Sequence, residues 1–201
     1  GIGFYYGMRN DIVGNVINHT GFYVMQLSHS SNNTIRGNCL SGTDYGIGFY
    51  DDSDNNSIFN NNFVGSYGYP AFLQQVQGNA FNADYPTGGN YFEGYSGTDS
   101  NHDGIGDSPE PLYYIGKNAS QDNLPLMGLF SSFNTSQGYP VEVISNSTIE
   151  DFAYFNSNST IRMHVSNMTA DQTIGFCRIA VPHALMNETY HITIDGAEPS
   201  F

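Results

Sequence analysis

The sequence predicts an all-β chain, most of it a right-handed parallel β-helix with about 23 residues per coil, and three observations carry that prediction. First, three columns of residues keep one spacing: Ile12, Ile35 and Ile58 lie 23 apart, as do Asn15, Asn38 and Asn61, and Ile17, Leu40 and Phe63. Second, Thr34–Leu40 answers Ser57–Phe63 without a gap. Third, the copies are rich in Asn, Gly, Ser and β-branched or aromatic residues. They alternate, as in Val24 and Gln26 against Ile47 and Phe49, which favours short strands and turns over helices.

In such a solenoid each copy covers the apolar face of its neighbour. Stacked coils lie about 4.8 Å apart, so the Ile column is expected inside. The Asn column has a different logic. Stacked Asn side chains bond amide to amide, and Asn tolerates left-handed turn geometry, which suits a corner of each coil. The first copy needs a one-residue deletion to bring Gly1–Phe4 onto the Val24 and Ile47 rows. The chain is therefore expected to begin inside a coil and, with no Met at position 1, to be a piece of a longer polypeptide.

Between the coils and the tail runs Asp99-Ser-Asn101-His-Asp103-Gly104-Ile105-Gly106-Asp107-Ser-Pro-Glu110, a full match to the calcium-loop pattern. Asp99, Asn101 and Asp103 would point oxygens into one pocket, Gly104 would make the turn, and Ile105 would offer its carbonyl. Asp107 would ligate directly or through water, and Glu110 would close the shell around Ca²⁺. Pro109 and Pro111 block a regular exiting helix, so the loop is expected in a non-helical setting, as a cap.

Composition narrows the partners. The net charge is −14 and only five Lys and Arg are present, which disfavours nucleic acid and anionic membranes. No apolar stretch approaches the roughly 18 residues of a membrane span. Nine Asn-x-Ser/Thr sequons start at Asn18, Asn32, Asn55, Asn118, Asn134, Asn146, Asn158, Asn167 and Asn187, which points to a secreted, glycosylated cell-surface protein. Asn32 and Asn55 would sit on adjacent coils, too close for both to carry glycans. Cys39 and Cys177 are the only cysteines, and two lone cysteines do not show whether they pair.

The Asn-x-Ile-x-x-Asn coils, Tyr85-Pro86-Thr87-Gly88-Gly89-Asn90-Tyr91-Phe92, the Asp99–Asp107 loop and Asp122-Asn123-Leu124-Pro125-Leu126-Met127 together resemble the NosD-like parallel β-helix repeat proteins found on archaeal surfaces. The resemblance covers residues 1 to 130 and implies a final coil closed by the loop segment. It does not carry the copper role of the family's name to this chain. Copper favours His, Met or Cys clusters, and His19, His29, His102, His164, His183 and His191 are scattered.

Residues 131–139 are expected to be a linker and 140–201 a small β-sandwich, with strands at Val141–Ile144, Ile149–Phe155, Thr160–Val165, Ile174–Val181 and Tyr190–Ile194. Gly175-Phe176-Cys177-Arg178 with Val181-Pro182 belongs to the same resemblance, to domains that follow such β-helices. Asp195-Gly196 is a hairpin-turn signal, and its returning strand would lie beyond Phe201, leaving the sandwich truncated or completed by another chain.

Three functions compete. Asp51, Asp52 and Asp54 with His29 stacked on Asp52 would offer acid and base to a polysaccharide-active enzyme, yet clustered Asp is ordinary corner chemistry. Tyr5, Tyr6, Tyr23, Tyr45 and Tyr50 would offer a face for binding carbohydrate. The reading favoured by a stiff solenoid with a β tail is a non-catalytic structural module of a cell-surface layer, sheath, fibre or adhesin. It would be calcium-stabilised and glycosylated, with self-association or neighbouring surface subunits as partners.

Overall fold

The computed structural model describes residues 1–19, 21–42, 44–65, 69–115, 120–186 and 189–199. The first coil comprises β1 (Ile2–Tyr5), β2 (Asp11–Val13) and β3 (Val16–His19). The second repeats it as β4 (Tyr23–Ser28), β5 (Thr34–Arg36) and β6 (Cys39–Gly42). The third follows as β7 (Tyr45–Tyr50), β8 (Ser57–Phe59) and β9 (Asn62–Val64). A wider fourth turn contributes β10 (Tyr69–Gln74) and β11 (Tyr91–Phe92); beyond it follow β12 (Glu110–Pro111), β13 (Tyr113–Ile115), which pairs in parallel with β10, and β14 (Gln121–Asp122).

Corresponding strands pair in parallel into three sheets, ordered β1-β4-β7-β10-β13, β2-β5-β8 and β3-β6-β9-β11. This is the connectivity of a parallel β-helix. Strands this short bury one alternating face, and three such faces turned inward make one core. Ile12, Ile35 and Ile58 are in register and buried, as are Ile17, Leu40 and Phe63.

The 23-residue register holds in the second sheet and in the third as far as β9, where the step to β11 widens to 29 residues, but not throughout the first. There Ile2 pairs with Met25, with no deletion needed, Met25 with Ile47, and Ile47 with Ala71. The partners of Ile47 and Phe49 are thus Met25 and Leu27, not Val24 and Gln26. A shorter corner before β7 slips the strand by one residue, and consecutive left-handed residues at Asp51 and Asp52 restore the register, so that Ser30 again meets Ser53.

Beyond the coils, β15 (Leu129–Asn134), β16 (Pro140–Ser145) and β19 (Cys177–Ala180) form an antiparallel sheet, and β17 (Thr148–Phe155) pairs with β18 (Thr160–Ser166) as a hairpin. The hairpin packs on the sheet through Val141, Val143 and Leu185, with the Phe133 and Phe152 rings stacked 4.5 Å apart. Strand β15 runs through the start of the expected linker. It has a partner strand and an apolar alternation of its own, so residues 131–134 are sheet. Tyr190–Ile194 forms no strand. The Asp195-Gly196 turn does form, with both residues at positive φ and Ile194 bridged to Ala197.

The antiparallel unit docks on the side of the coils. The Asn62 amide both donates to Phe130 O and accepts from Phe130 N at 2.8 Å, acting as a surrogate strand edge. Arg178 donates to Pro86 O.

Candidate functional site

Polar side chains inside a dry coil need partners, because an unpaired buried donor or acceptor costs about 1–3 kcal/mol. The Asn column meets that need by stacking. Asn15 Nδ2 donates to Asn38 Oδ1, Asn38 Nδ2 to Asn61 Oδ1, and Asn61 Nδ2 to Asn90 Oδ1, each at 2.9 Å. Each backbone N–H donates to the same oxygen one coil on. The column ends on Asp122, whose Oδ2 accepts from Asn90 N at 2.7 Å and Asn90 Nδ2 at 3.1 Å, while Oδ1 accepts from Leu124 N. Asp122 is fully buried, and desolvation pushes its carboxyl up to about 7.

A second ladder, absent from the sequence-based expectation, runs through Asn10, Asn33, Asn56 and Asn79 with the same bonding at 3.0 Å. Its signal was present in the 23-residue spacing, since Asn10, Asn33 and Asn56 stand two residues before Ile12, Ile35 and Ile58 and open each Asn-x-Ile-x-x-Asn pattern. Ser30 and Ser53 form a shorter hydroxyl column beside it.

The Asp51–Asp54 cluster lies at a corner. Asp51 Oδ2 accepts weakly from Ser28 Oγ at 3.4 Å, and Asp54 Oδ1 accepts from Gln77 N at 2.7 Å. His29 meets Asp51 rather than Asp52, through its backbone N–H, and its ring stacks on Tyr6 at 4.9 Å. Tyr23, Tyr45 and Tyr50 do gather on one face, joined by Phe72. They interlock edge to face or tilted, and the Tyr23 and Tyr50 hydroxyls touch. Burial raises both phenols above their ordinary range. Tyr5 and Tyr6 stay largely exposed and away from this cluster.

In the 99–110 loop the candidate ligand oxygens are turned to the loop's own donors. Asp99 accepts from the backbone N–H of Asp103 and of Gly104, at 3.1 and 2.8 Å. Asn101 Oδ1 accepts from Asp103 N and its Nδ2 donates to Asp103 Oδ2, while Asp103 Oδ1 accepts from Ile105 N at 2.9 Å. Asp107 accepts from the Ser100 hydroxyl and backbone and from Thr98, bonds that hold its carboxyl below the usual carboxylate range. Gly104 makes the expected turn at φ +79. Ile105 buries its side chain against Leu126, Phe130 and Ile144. Glu110 lies in β12 opposite Asp122, and burial raises its carboxyl.

Of the sequon residues, Asn18, Asn32, Asn55, Asn134, Asn158 and Asn167 are exposed. Asn146 is half-buried, its amide held between Phe176 N and Ile174 O. Asn118 and Asn187 lie outside the described residues. Cys39 and Cys177 are both free thiols. No helix among the described residues is long and apolar enough to cross a membrane.

Residues 1–97 match one family model, described as periplasmic copper-binding protein (NosD). No curated protein and no solved structure matches the chain. The family match corrects the calcium expectation, since the metal in that description is copper. In the loop the oxygens of Asp99, Asn101, Asp103 and Asp107 accept from turn donors, the Ile105 side chain packs in the core, and Glu110 lies in a strand pair. Copper does not fit these residues either. It favours imidazole, thiolate and thioether donors, and among the described residues no three of His, Cys, Asp or Glu come together as a metal-holding group. Met25 is in the coil core, and Met163 and Met186 pack against the tail core. Over residues 1–97 this all-β chain is similar to the NosD family, whose description places its members in the periplasm.

Proposed function

We propose that the chain is a rigid, non-catalytic module that works outside the cytoplasm, a right-handed coil carrying a docked β unit, within a surface layer, sheath, fibre or adhesin. The observation that carries this reading is the pair of Asn ladders. The buried amide groups of the shaft bond coil to coil, and the acidic cluster that came nearest to an active site is taken up in corner turns. Similarity to a periplasmic family supports the location. The exposed sequons support decoration with N-linked glycans, and neighbouring surface subunits or further copies of the chain are the partners that a stiff shaft serves.

Incubation with a panel of polysaccharides tests the absence of catalysis. No reducing ends and no unsaturated products are expected. Turnover that disappears in Asp52→Asn would overturn the reading in favour of a polysaccharide-active enzyme.

A further inference from the structure

The chain has a net charge of −14, yet that charge is kept off two of the three coil sheets. Sheet β2-β5-β8 carries Asp11 and Arg36. The strands of β3-β6-β9-β11 carry no Asp, Glu, Lys or Arg, and neither do those of β1-β4-β7-β10-β13. The third sheet is where the antiparallel unit docks, through Asn62 and Phe130. Burying a charge at a contact is costly, so a sheet without charge is the kind of face on which this shaft receives another body. The first sheet is the second such face.

Its outer side is a layer of rings. Tyr23, Tyr45 and Tyr69 are register partners on successive coils, and Phe22, Tyr50 and Phe72 pack among them. None of the six belongs to the coil core. Gly48 makes room for the layer, because a Cβ there would come within 2.9 Å of the Tyr23 ring and 3.0 Å of the Tyr50 ring. Even so, Phe22 is 60% exposed and Tyr69 42%. Contiguous apolar surface left in water and rimmed by polar residues marks an interaction site, and here exposed Asp44 and Asp51 supply the rim on either side of β7.

The chemistry of the layer selects its partner. Tyr23 and Tyr50 cross at 80°, and Tyr45 and Phe72 at 71°, which makes a corrugated surface in place of the flat platform on which a sugar stacks. A basic partner would be steered to the acidic corners and not to a neutral sheet. A phenol hydroxyl both donates and accepts, so a tyrosine row is complementary to itself, as a two-fold interface requires. Two copies that each carry −14 repel over most of their surfaces, and the neutral face is where they approach at least electrostatic cost. We propose that the outer face of the first sheet binds the same face of a second copy about a two-fold axis, joining two shafts side by side. The proposal rests on the structural role given above and names the partner and the face through which that role is exercised. Aromatic side chains form the centre of the contact and Asp44 and Asp51 its wet rim, the usual division of a protein interface.

Sedimentation equilibrium on the whole chain tests this. A monomer–dimer equilibrium is expected with a Kd on the order of 10 μM, and it should tighten as added salt screens the repulsion between two acidic copies. Phe22→Glu and Tyr69→Glu each set like charges into both halves of the contact and should weaken the dimer about 30-fold. Both side chains are exposed, so the far-UV spectrum should not change. Ile174→Glu, at a 78% exposed position of the antiparallel unit, should leave the dimer intact. A monomer at every concentration overturns the proposal. So does a dimer that persists in both Phe22→Glu and Tyr69→Glu, one that is lost equally in Ile174→Glu, or open-ended oligomers in place of a dimer. A monomer that binds added oligosaccharide and loses that binding in Phe22→Glu overturns it in favour of a sugar at the same face. Each of these failures leaves the non-catalytic role standing, because that role falls only to turnover of a polysaccharide.

Discussion

Asn38 and Asn15 occupy the same column, yet replacing them should have very different consequences. Asn38 is fully buried. Alanine there removes five hydrogen bonds: Nδ2 to Asn61 Oδ1, Ile12 O and Arg36 O, and the two that Oδ1 accepts from Asn15. At a net contribution of about 0.5–1.5 kcal/mol each, with no water able to replace them, Asn38→Ala should destabilise by about 4 kcal/mol. Asn15 is only half-buried, and alanine there removes two Nδ2 bonds, to Val13 O and Asn38 Oδ1, so solvent compensates and the loss should stay near 1 kcal/mol. Asn38→Asp should be worse than alanine at neutral pH, because the carboxylate would face Asn61 Oδ1, Ile12 O and Arg36 O without a proton to give. Urea unfolding followed by far-UV circular dichroism measures all three. Equal losses at Asn15 and Asn38, or an aspartate variant more stable than the alanine one, would refute the ladder as the source of shaft stability.

Three further outcomes follow from the same geometry. Asp122 has its folded-state pKa raised from 3.8 to about 7 by desolvation. The folded state thus binds the extra proton between those values, and stability should fall as pH rises from about 4 to 7, by up to about 4 kcal/mol. Chemical unfolding across that range should show the slope, and Asp122→Asn should flatten it. Ile35→Ala, at a fully buried rung of the aliphatic column, should cost about 2–5 kcal/mol in the same unfolding measurement. Asn32 and Asn55 are exposed at corners of adjacent coils, about 4.8 Å apart. Glycopeptide mass spectrometry of the natively expressed protein should find the two sequons filled in alternation and not on the same molecule.

The columns were legible because β2-β5-β8 and β3-β6-β9 keep a 23-residue register, so the Ile12, Ile17 and Asn15 rows announce themselves. The first sheet was misaligned because its register depends on corner length, and a corner that loses one residue before β7 and regains it at Asp51-Asp52 leaves no mark on the strands themselves. The loop motif was misleading for a related reason. Alternating Asp and Asn oxygens around a glycine are what a calcium shell needs, and they are also what a series of side-chain-to-amide turns needs. The spacing alone does not choose between them. Asp122 was visible only as part of a family motif, since its place as the last rung arises from a 32-residue step after Asn90 that no fixed period foretells. The full extent of the aromatic face, which takes in Phe22, Tyr69 and Phe72, needed the register of β4, β7 and β10, which is tertiary information.

Each ladder amide points its N–H toward the next coil and its carbonyl back toward the one before. The column from Asn15 to Asn90 is therefore a line of parallel dipoles, and hydrogen-bonded chains of this kind polarise one another. Its positive end meets Asp122, so the bonds from Asn90 at the end of the column oppose the desolvation that raises this sealed carboxyl. The shaft thus has an electrical direction along its axis, and its two ends are chemically unlike before any partner arrives.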